Sequence, residues 1–288
     1  MTWRGTLSLG CVGGSLAYVL YGKFGSPVSQ ALLAGLVLLL LFSTWVFMSR
    51  VEGRRPIGLL VQAAVLWSLT WFVERVALDG GFAGWTYLYN RSHPLSLGLA
   101  GVPVLVPTVW LAFGWVGDAV VSSLMAKGRP GRKSLHPAGR LLIEGLAGGW
   151  VLLSIDAAFE WHFSTAAGFW RWERGAAAGA AIAGVPVWNF LLWFAIGCLV
   201  PLSGRLVQPG TTRTATANGA AGVRSIPALG LGALLAAGVT MNIFYDVREG
   251  ALLCALSLSV VFAVFSPALG GWMRRVRGCG RPRIIRDY

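Results

Sequence analysis

Asp156 and Glu160 stand four residues apart inside the apolar run that covers about 140–163. At helical spacing that puts both carboxyl groups on one face. Asn242 and Asp246 repeat the geometry in a later apolar run, while Glu74 and Asn189 lie inside two others. A charged side chain in a lipid-embedded helix costs roughly 2.5–3.5 kcal/mol on insertion scales, so such groups turn to the bundle interior and mark function. Around them the chain sets Trp85, Tyr87, Tyr89, Trp161, Phe169, Trp170, Trp172, Trp188 and Tyr245. An interfacial aromatic belt accounts for part of that collection, but not for the acids beneath it. A carboxylic acid in apolar surroundings keeps its proton and can donate it. An aromatic face steadies a carbocation. Protonating an alkene needs that pair.

Other chemistries lack their residues. The sequence has no P-loop, no GxGxxG opening a helix and no Asp-rich DDxxD motif for Mg²⁺ on a diphosphate. Three histidines, with His136 in a basic loop, cannot build a multi-histidine iron site. No cofactor and no metal site is therefore expected. Cys11, Cys198, Cys254 and Cys279 are widely separated and read as small core hydrophobes.

The elements that must position these acids are membrane helices. Hydrophobic residues make up 56% of the 288 and charged residues 12%, about half the charged share of a soluble domain. A bilayer core takes about 20 apolar residues per helix. That ruler predicts an all-α integral membrane protein of eight spans in one bundle, at about 6–22, 29–49, 57–78, 98–125, 140–163, 179–203, 226–247 and 250–272. The first is expected as an uncleaved helix rather than a signal peptide. One polytopic domain then takes up 1–288, with flexible loops at about 127–138 and 207–224 and a basic tail at 274–288.

The net charge of +13 follows topology rather than nucleic acid, because the basic residues sit in short connections between apolar runs. Eighteen of the 24 Lys and Arg fall on one side of the eight-span arrangement, and six (Lys23, Arg75, Arg91, Arg171, Arg174 and Arg248) on the other. The positive-inside rule then predicts a cell-membrane protein with both termini cytoplasmic and the acids toward the outer leaflet.

An internal repeat is also expected. Ala100-Gly101-Val102-Pro103-Val104 returns 83 residues later as Ala183-Gly184-Val185-Pro186-Val187. Each copy follows an aromatic loop beginning Gly-Phe, at Gly81 and Gly168, and each has an acid, Glu74 or Asp156, 27 or 28 residues before its glycine. Two like-oriented helical hairpins, related by an axis along the membrane normal, would bring Glu74 and Asp156 to equivalent depths.

These segments carry a resemblance. Ser154-Ile155-Asp156-Ala157-Ala158-Phe159-Glu160, Gly168-Phe169-Trp170-Arg171-Trp172-Glu173 and Gly184-Val185-Pro186-Val187-Trp188-Asn189-Phe190-Leu191-Leu192-Trp193 look like the carotenoid biosynthesis membrane protein family. That family includes bacterial carotenoid 1,2-hydratases and the haloarchaeal bisanhydrobacterioruberin hydratase. The likeness covers about 70–200 and takes in Glu74, the Gly80–Tyr89 stretch, Pro107 and Trp110. Where the family has Asp-Pro this chain has Glu160-Trp161, so Glu160 carries over only as an acid. The resemblance implies a hydrophobic isoprenoid substrate in the lipid bilayer.

The expected activity is protonation of an isoprenoid double bond followed by capture of the cation by water. Asp156, Glu160, Glu74 and Asn189 are the candidate catalytic residues. Asp156 is the expected acid, Glu160 or Glu74 its partner, and Asn189 a positioning group. Trp85, Tyr87, Trp161, Trp170, Trp172, Trp188, Asn242, Tyr245 and Asp246 are candidates for substrate binding. A proton-initiated terpene cyclase would use the same acids while excluding water. An ion- or proton-coupled transporter would instead bind its cation at the carboxylates, but the apolar inner halves, such as Leu38–Phe42 and Leu191–Ile196, offer no through-path.

Overall fold

The computed structural model describes residues 53–81, 83–91, 98–125, 136–166 and 168–208, with helical positions between 35 and 49 and at Ala255. The expected spans 6–22 and 226–247, and with them Asn242, Tyr245 and Asp246, lie outside the described residues.

Four helices form the described body: α1 (Pro56–Asp79), α2 (Leu105–Met125), α3 (Pro137–Trp161) and α4 (Val187–Val207). Each is long and apolar enough to cross a membrane. At 1.5 Å per residue they run roughly 31–38 Å, enough for a hydrocarbon core. Proline opens α1 and α3 at the position where its missing N–H costs nothing. His136, expected as a plain loop residue, caps α3 by accepting the Ala138 N–H at 3.4 Å. The core forms where α2, α3 and α4 meet, around Trp110, Phe113, Leu152, Ile155, Phe159 and Trp193. By contrast α1 leaves Ile57, Leu60, Val65 and Phe72 exposed, as a helix facing lipid would.

Helices α3 and α4 approach closely through glycine. A Cβ on Gly148 would lie 2.7 Å from the Gly197 carbonyl oxygen, and one on Gly197 equally close to the Gly148 oxygen. Small residues are what permit such backbone contact in lipid, where packing rather than water exclusion drives association.

The connections at one end carry six short strands: β1 (Trp85–Tyr89), β2 (Gly98–Leu99), β3 (Val102–Pro103), β4 (Trp170–Arg174), β5 (Ala181–Ile182) and β6 (Val185–Pro186). Strand β1 pairs antiparallel with β4, setting Trp85 opposite Arg174, Tyr87 opposite Trp172 and Tyr89 opposite Trp170. β2 pairs with β3, and β5 with β6, around two-residue turns. Ala100 and Gly101 take φ of 50° and 86°, Ala183 and Gly184 φ of 45° and 81°. Positive φ at both central residues is the turn that suits a tight hairpin.

These hairpins correct the expected spans 98–125 and 179–203, since 98–103 and 181–186 are strand and turn, and the helices open at Leu105 and Val187. Hydropathy cannot separate a short apolar hairpin from the first turns of a helix; the positive-φ glycine and the proline can. The order helix, strand, hairpin, helix occurs twice, in α1-β1-β2-β3-α2 and in α3-β4-β5-β6-α4.

Ion pairs tie the helices at the end away from the strands. Arg54 meets Asp118 at 2.7 Å, both buried, and Glu144 is held by Arg140 at 2.8 Å and Arg205 at 2.7 Å. Gln62 donates from α1 to the Val200 carbonyl of α4 at 3.0 Å. The charge count treats Arg54, Arg140 and Arg205 as loop residues. The structure has each reach back to a carboxylate inside the bundle, where an unpaired acid would be costly.

Candidate active site

At the strand-bearing end the acids come together. Glu74 lies five residues before the end of α1 and Asp156 five before the end of α3, so each sits roughly 7–8 Å inside its helix. Glu160 follows one turn after Asp156, and Asn189 is the third residue of α4. All four are buried. Glu74, Asp156 and Glu160 are near enough for their charges to repel one another.

Each carboxyl group has its own donors. Asn189 Nδ2 donates to Asp156 Oδ2 at 3.1 Å. The Trp193 indole N–H donates to Asn189 Oδ1 at 3.1 Å. Because that N–H can only donate, it fixes the amide with its NH₂ toward the acids. Glu160 Oε1 accepts two indole N–H groups, from Trp170 at 2.9 Å and Trp172 at 2.7 Å. Glu74 Oε2 accepts the Tyr89 hydroxyl at 2.9 Å.

The chain turns back over Glu160 through a π-helical turn, His162–Ala166, of the kind often found at functional sites. Within it Ser164 Oγ donates to the Glu160 carbonyl at 2.8 Å, and the Phe169 N–H then bonds the Phe163 carbonyl at 2.8 Å. Strand β4 therefore lies across the end of its own helix. Aromatic rings surround the acids: Trp110 stacks on Trp193 at 3.7 Å, and Phe163 stacks on Trp170 at 5.5 Å.

Of the expected residues, Asp156, Glu160, Glu74, Asn189, Trp170 and Trp172 thus meet in one place. Trp188 stands edge-on to Trp172 at 5.7 Å. Trp85 and Trp161 go elsewhere: their N–H groups hold loop carbonyls, Gly179 at 3.1 Å and Ala183 at 3.2 Å. Tyr87 occupies the strand position opposite Trp172. Among the described residues no group of three His, Cys, Asp or Glu side chains is placed to hold a metal ion.

Three side chains outside the expected site touch it. Tyr89 was grouped only with the surrounding aromatics, and Trp110 and Trp193 entered only through the family pattern. Trp193 stands four residues after Asn189, the helical spacing that could have flagged it.

A family model described as carotenoid biosynthesis protein matches residues 32–264, most of the chain and all of this site. The chain belongs to that family. Searches of curated proteins and of solved structures each give no match. Membership in the carotenoid biosynthesis family points to a role in that biosynthesis, and the apolar helices fit a lipid-embedded protein acting on a hydrophobic isoprenoid.

Proposed function

We propose that this family member is a membrane hydratase that adds water across an isoprenoid double bond. Asp156 gives its proton to the less substituted alkene carbon, and the other carbon becomes a tertiary cation. Water attacks that cation, and Glu160 takes the proton the water sheds. A return of this proton from Glu160 to Asp156 restores both acids, so the net change is addition of one water. Asn189, bonded to Asp156, holds that acid in place one turn before Glu160, and the rings of Trp110, Trp193 and Trp170 offer π-faces to the cation.

The observation that carries this reading is the gathering of Asp156, Glu160 and Glu74 in one buried cluster beneath aromatic donors. A proton acceptor held beside a proton donor suits activation of water. Expression in cells that make lycopene, an acyclic carotenoid with an alkene at each end, tests it. The expected products are heavier by one or two waters; products isomeric with lycopene would mean cyclisation, and unchanged lycopene would count against both.

The same reading extends to architecture: eight spans, both termini cytoplasmic, and two repeated hairpins. Support comes from the twofold element order and from the matching Ala-Gly turns. In intact cells a cysteine placed in 127–133 should resist a membrane-impermeant thiol reagent, and one placed in 90–93 should react. The reverse pattern would turn the acids to the cytoplasmic leaflet.

A further inference from the structure

The two-stranded sheet over the acids does more than close a loop. Tyr89 and Trp170 face each other across β1 and β4, and Trp172 lies two residues along from Trp170, hence on the same face. All three direct a donor at a carboxyl group beneath, Tyr89 at Glu74 and both indoles at Glu160. We propose that this sheet sorts the roles of the acids. Trp170 and Trp172 are positioning residues that keep Glu160 as the proton acceptor, and Asp156 is left as the donor. This inference rests on the hydratase reading and names the residues that hold its acid and base to those roles.

The chemistry of the donors decides the assignment. An indole N–H has no acceptor function, so it cannot reverse its bond when a neighbouring acid gains or loses a proton. Two such bonds on one oxygen, at 2.9 and 2.7 Å, commit Glu160 Oε1 to accepting and favour the carboxylate form. Asp156 receives only the Asn189 amide, on Oδ2, and among the described residues no donor engages its Oδ1. That oxygen is where a transferable proton can reside.

The indoles are also held rigidly. The Trp170 ring packs on Phe163, Phe169 and Tyr89, with centroids 5.5, 5.6 and 6.2 Å away, and Trp172 packs edge-on to Trp188. Fixed donors aimed at a developing charge need no reorganisation during reaction. Belt tryptophans would instead turn their N–H groups to the headgroups, and these turn inward to a buried acid.

The test uses the full chain in lipid nanodiscs, with Trp170→Phe, Trp172→Phe, the double variant, Asp156→Asn and Glu160→Gln. Phenylalanine keeps an aromatic ring while removing the N–H together with the second ring of the indole. Infrared difference spectra against the wild type read which carboxyl carries a proton, without any substrate. Asp156→Asn should lose a protonated-carboxyl C=O band. Glu160→Gln should lose carboxylate bands alone, and the double Trp variant should alter those same bands. With lycopene, each Trp→Phe should lower kcat by roughly tenfold to a hundredfold with little change in KM, the loss expected for one bond to a charged group.

The inference is overturned if Glu160→Gln loses the C=O band while Asp156→Asn keeps it, or if the double Trp variant leaves spectrum and kcat unchanged. If the bands fall as expected but lycopene is not hydrated, the hydratase reading fails and the sorting of the acids stands. Should one Trp variant not fold, the other carries the same test through the same oxygen.

Discussion

Asp156→Asn separates the loss of a proton from the loss of a structure. Asparagine is nearly isosteric, and its surroundings can accept it. Trp193 pins the Asn189 amide with its NH₂ toward position 156, so the new side chain turns its oxygen to Asn189 and keeps the 3.1 Å bond. Its own NH₂ then occupies the place of Asp156 Oδ1. The substitution therefore removes an acidic proton and conserves volume and hydrogen bonding, and stability should change by less than about 1 kcal/mol. Removal of a general acid costs typically 10²–10⁴-fold, or about 2.7–5.5 kcal/mol of barrier. Turnover of lycopene in purified, nanodisc-embedded protein measures the first quantity, and thermal unfolding followed by intrinsic fluorescence measures the second. Asp156→Glu should retain part of the activity if the lengthened side chain still reaches Asn189. A Tm close to wild type with turnover above a tenth of wild type would refute Asp156 as the donor, and Glu74 would take its place.

Asn189→Leu should lower turnover at least tenfold while Asn189→Gln recovers little, since the Trp193 bond sets the amide at one distance from the acids; equal rates in a lycopene assay would remove Asn189 from the site. Asp118→Asn should destabilise measurably by denaturant unfolding, because it removes the carboxylate charge that faces buried Arg54 at 2.7 Å, whereas Arg54→Met with Asp118→Leu should cost less than Asp118→Asn alone. Gly197→Ala should lower Tm and leave KM unchanged, because the added methyl meets the Gly148 carbonyl at mid-helix, roughly 12 Å along α3 and α4 from Asp156 and Asn189. Tyr89→Phe should reduce kcat severalfold and leave the Tm near wild type, the hydroxyl being its bond to Glu74 while the ring keeps its contacts with Phe169 and Trp170.

The acids and Asn189 were legible in the sequence because an ionisable or amide side chain in an apolar run is conspicuous, and because insertion cost gives it a reason to face inward. Burial of Asp118 and Glu144 follows from the same logic, yet their partners Arg54 and Arg205 were indistinguishable from topogenic loop charges. Aromatic side chains were harder. With 14 Trp in the chain, composition cannot tell which indole N–H finds an acid and which finds a loop carbonyl. Trp172 and Trp85 read alike, and only the register of β1 on β4 separates them. The helix limits of α1 followed from hydropathy to within one residue, whereas α2 and α4 began later than hydropathy suggests, because an apolar hairpin scores like a helix.

Those hairpins bear on the chemistry. A helix end is electrostatically awkward for a carboxylate: the C-terminal carbonyls carry partial negative charge, and Glu160 lies in the last turn of α3 before the π-turn. Donors must therefore come from other elements. The Ala183-Gly184 turn ends β5–β6 at Pro186 and starts α4 at Val187, which brings Asn189 into the first helical turn at the level of Asp156. The π-turn sends β4 back across Glu160, and the pairing with β1 brings Tyr89 over Glu74. Had the 179–203 span been helical from where hydropathy placed its start, Asn189 would lie more than two turns along its helix and below the acids. The positive-φ Ala183 and Gly184 thus set the depth at which amide and acid meet, and lengthening the 181–186 turn by one residue should impair turnover more than it impairs folding.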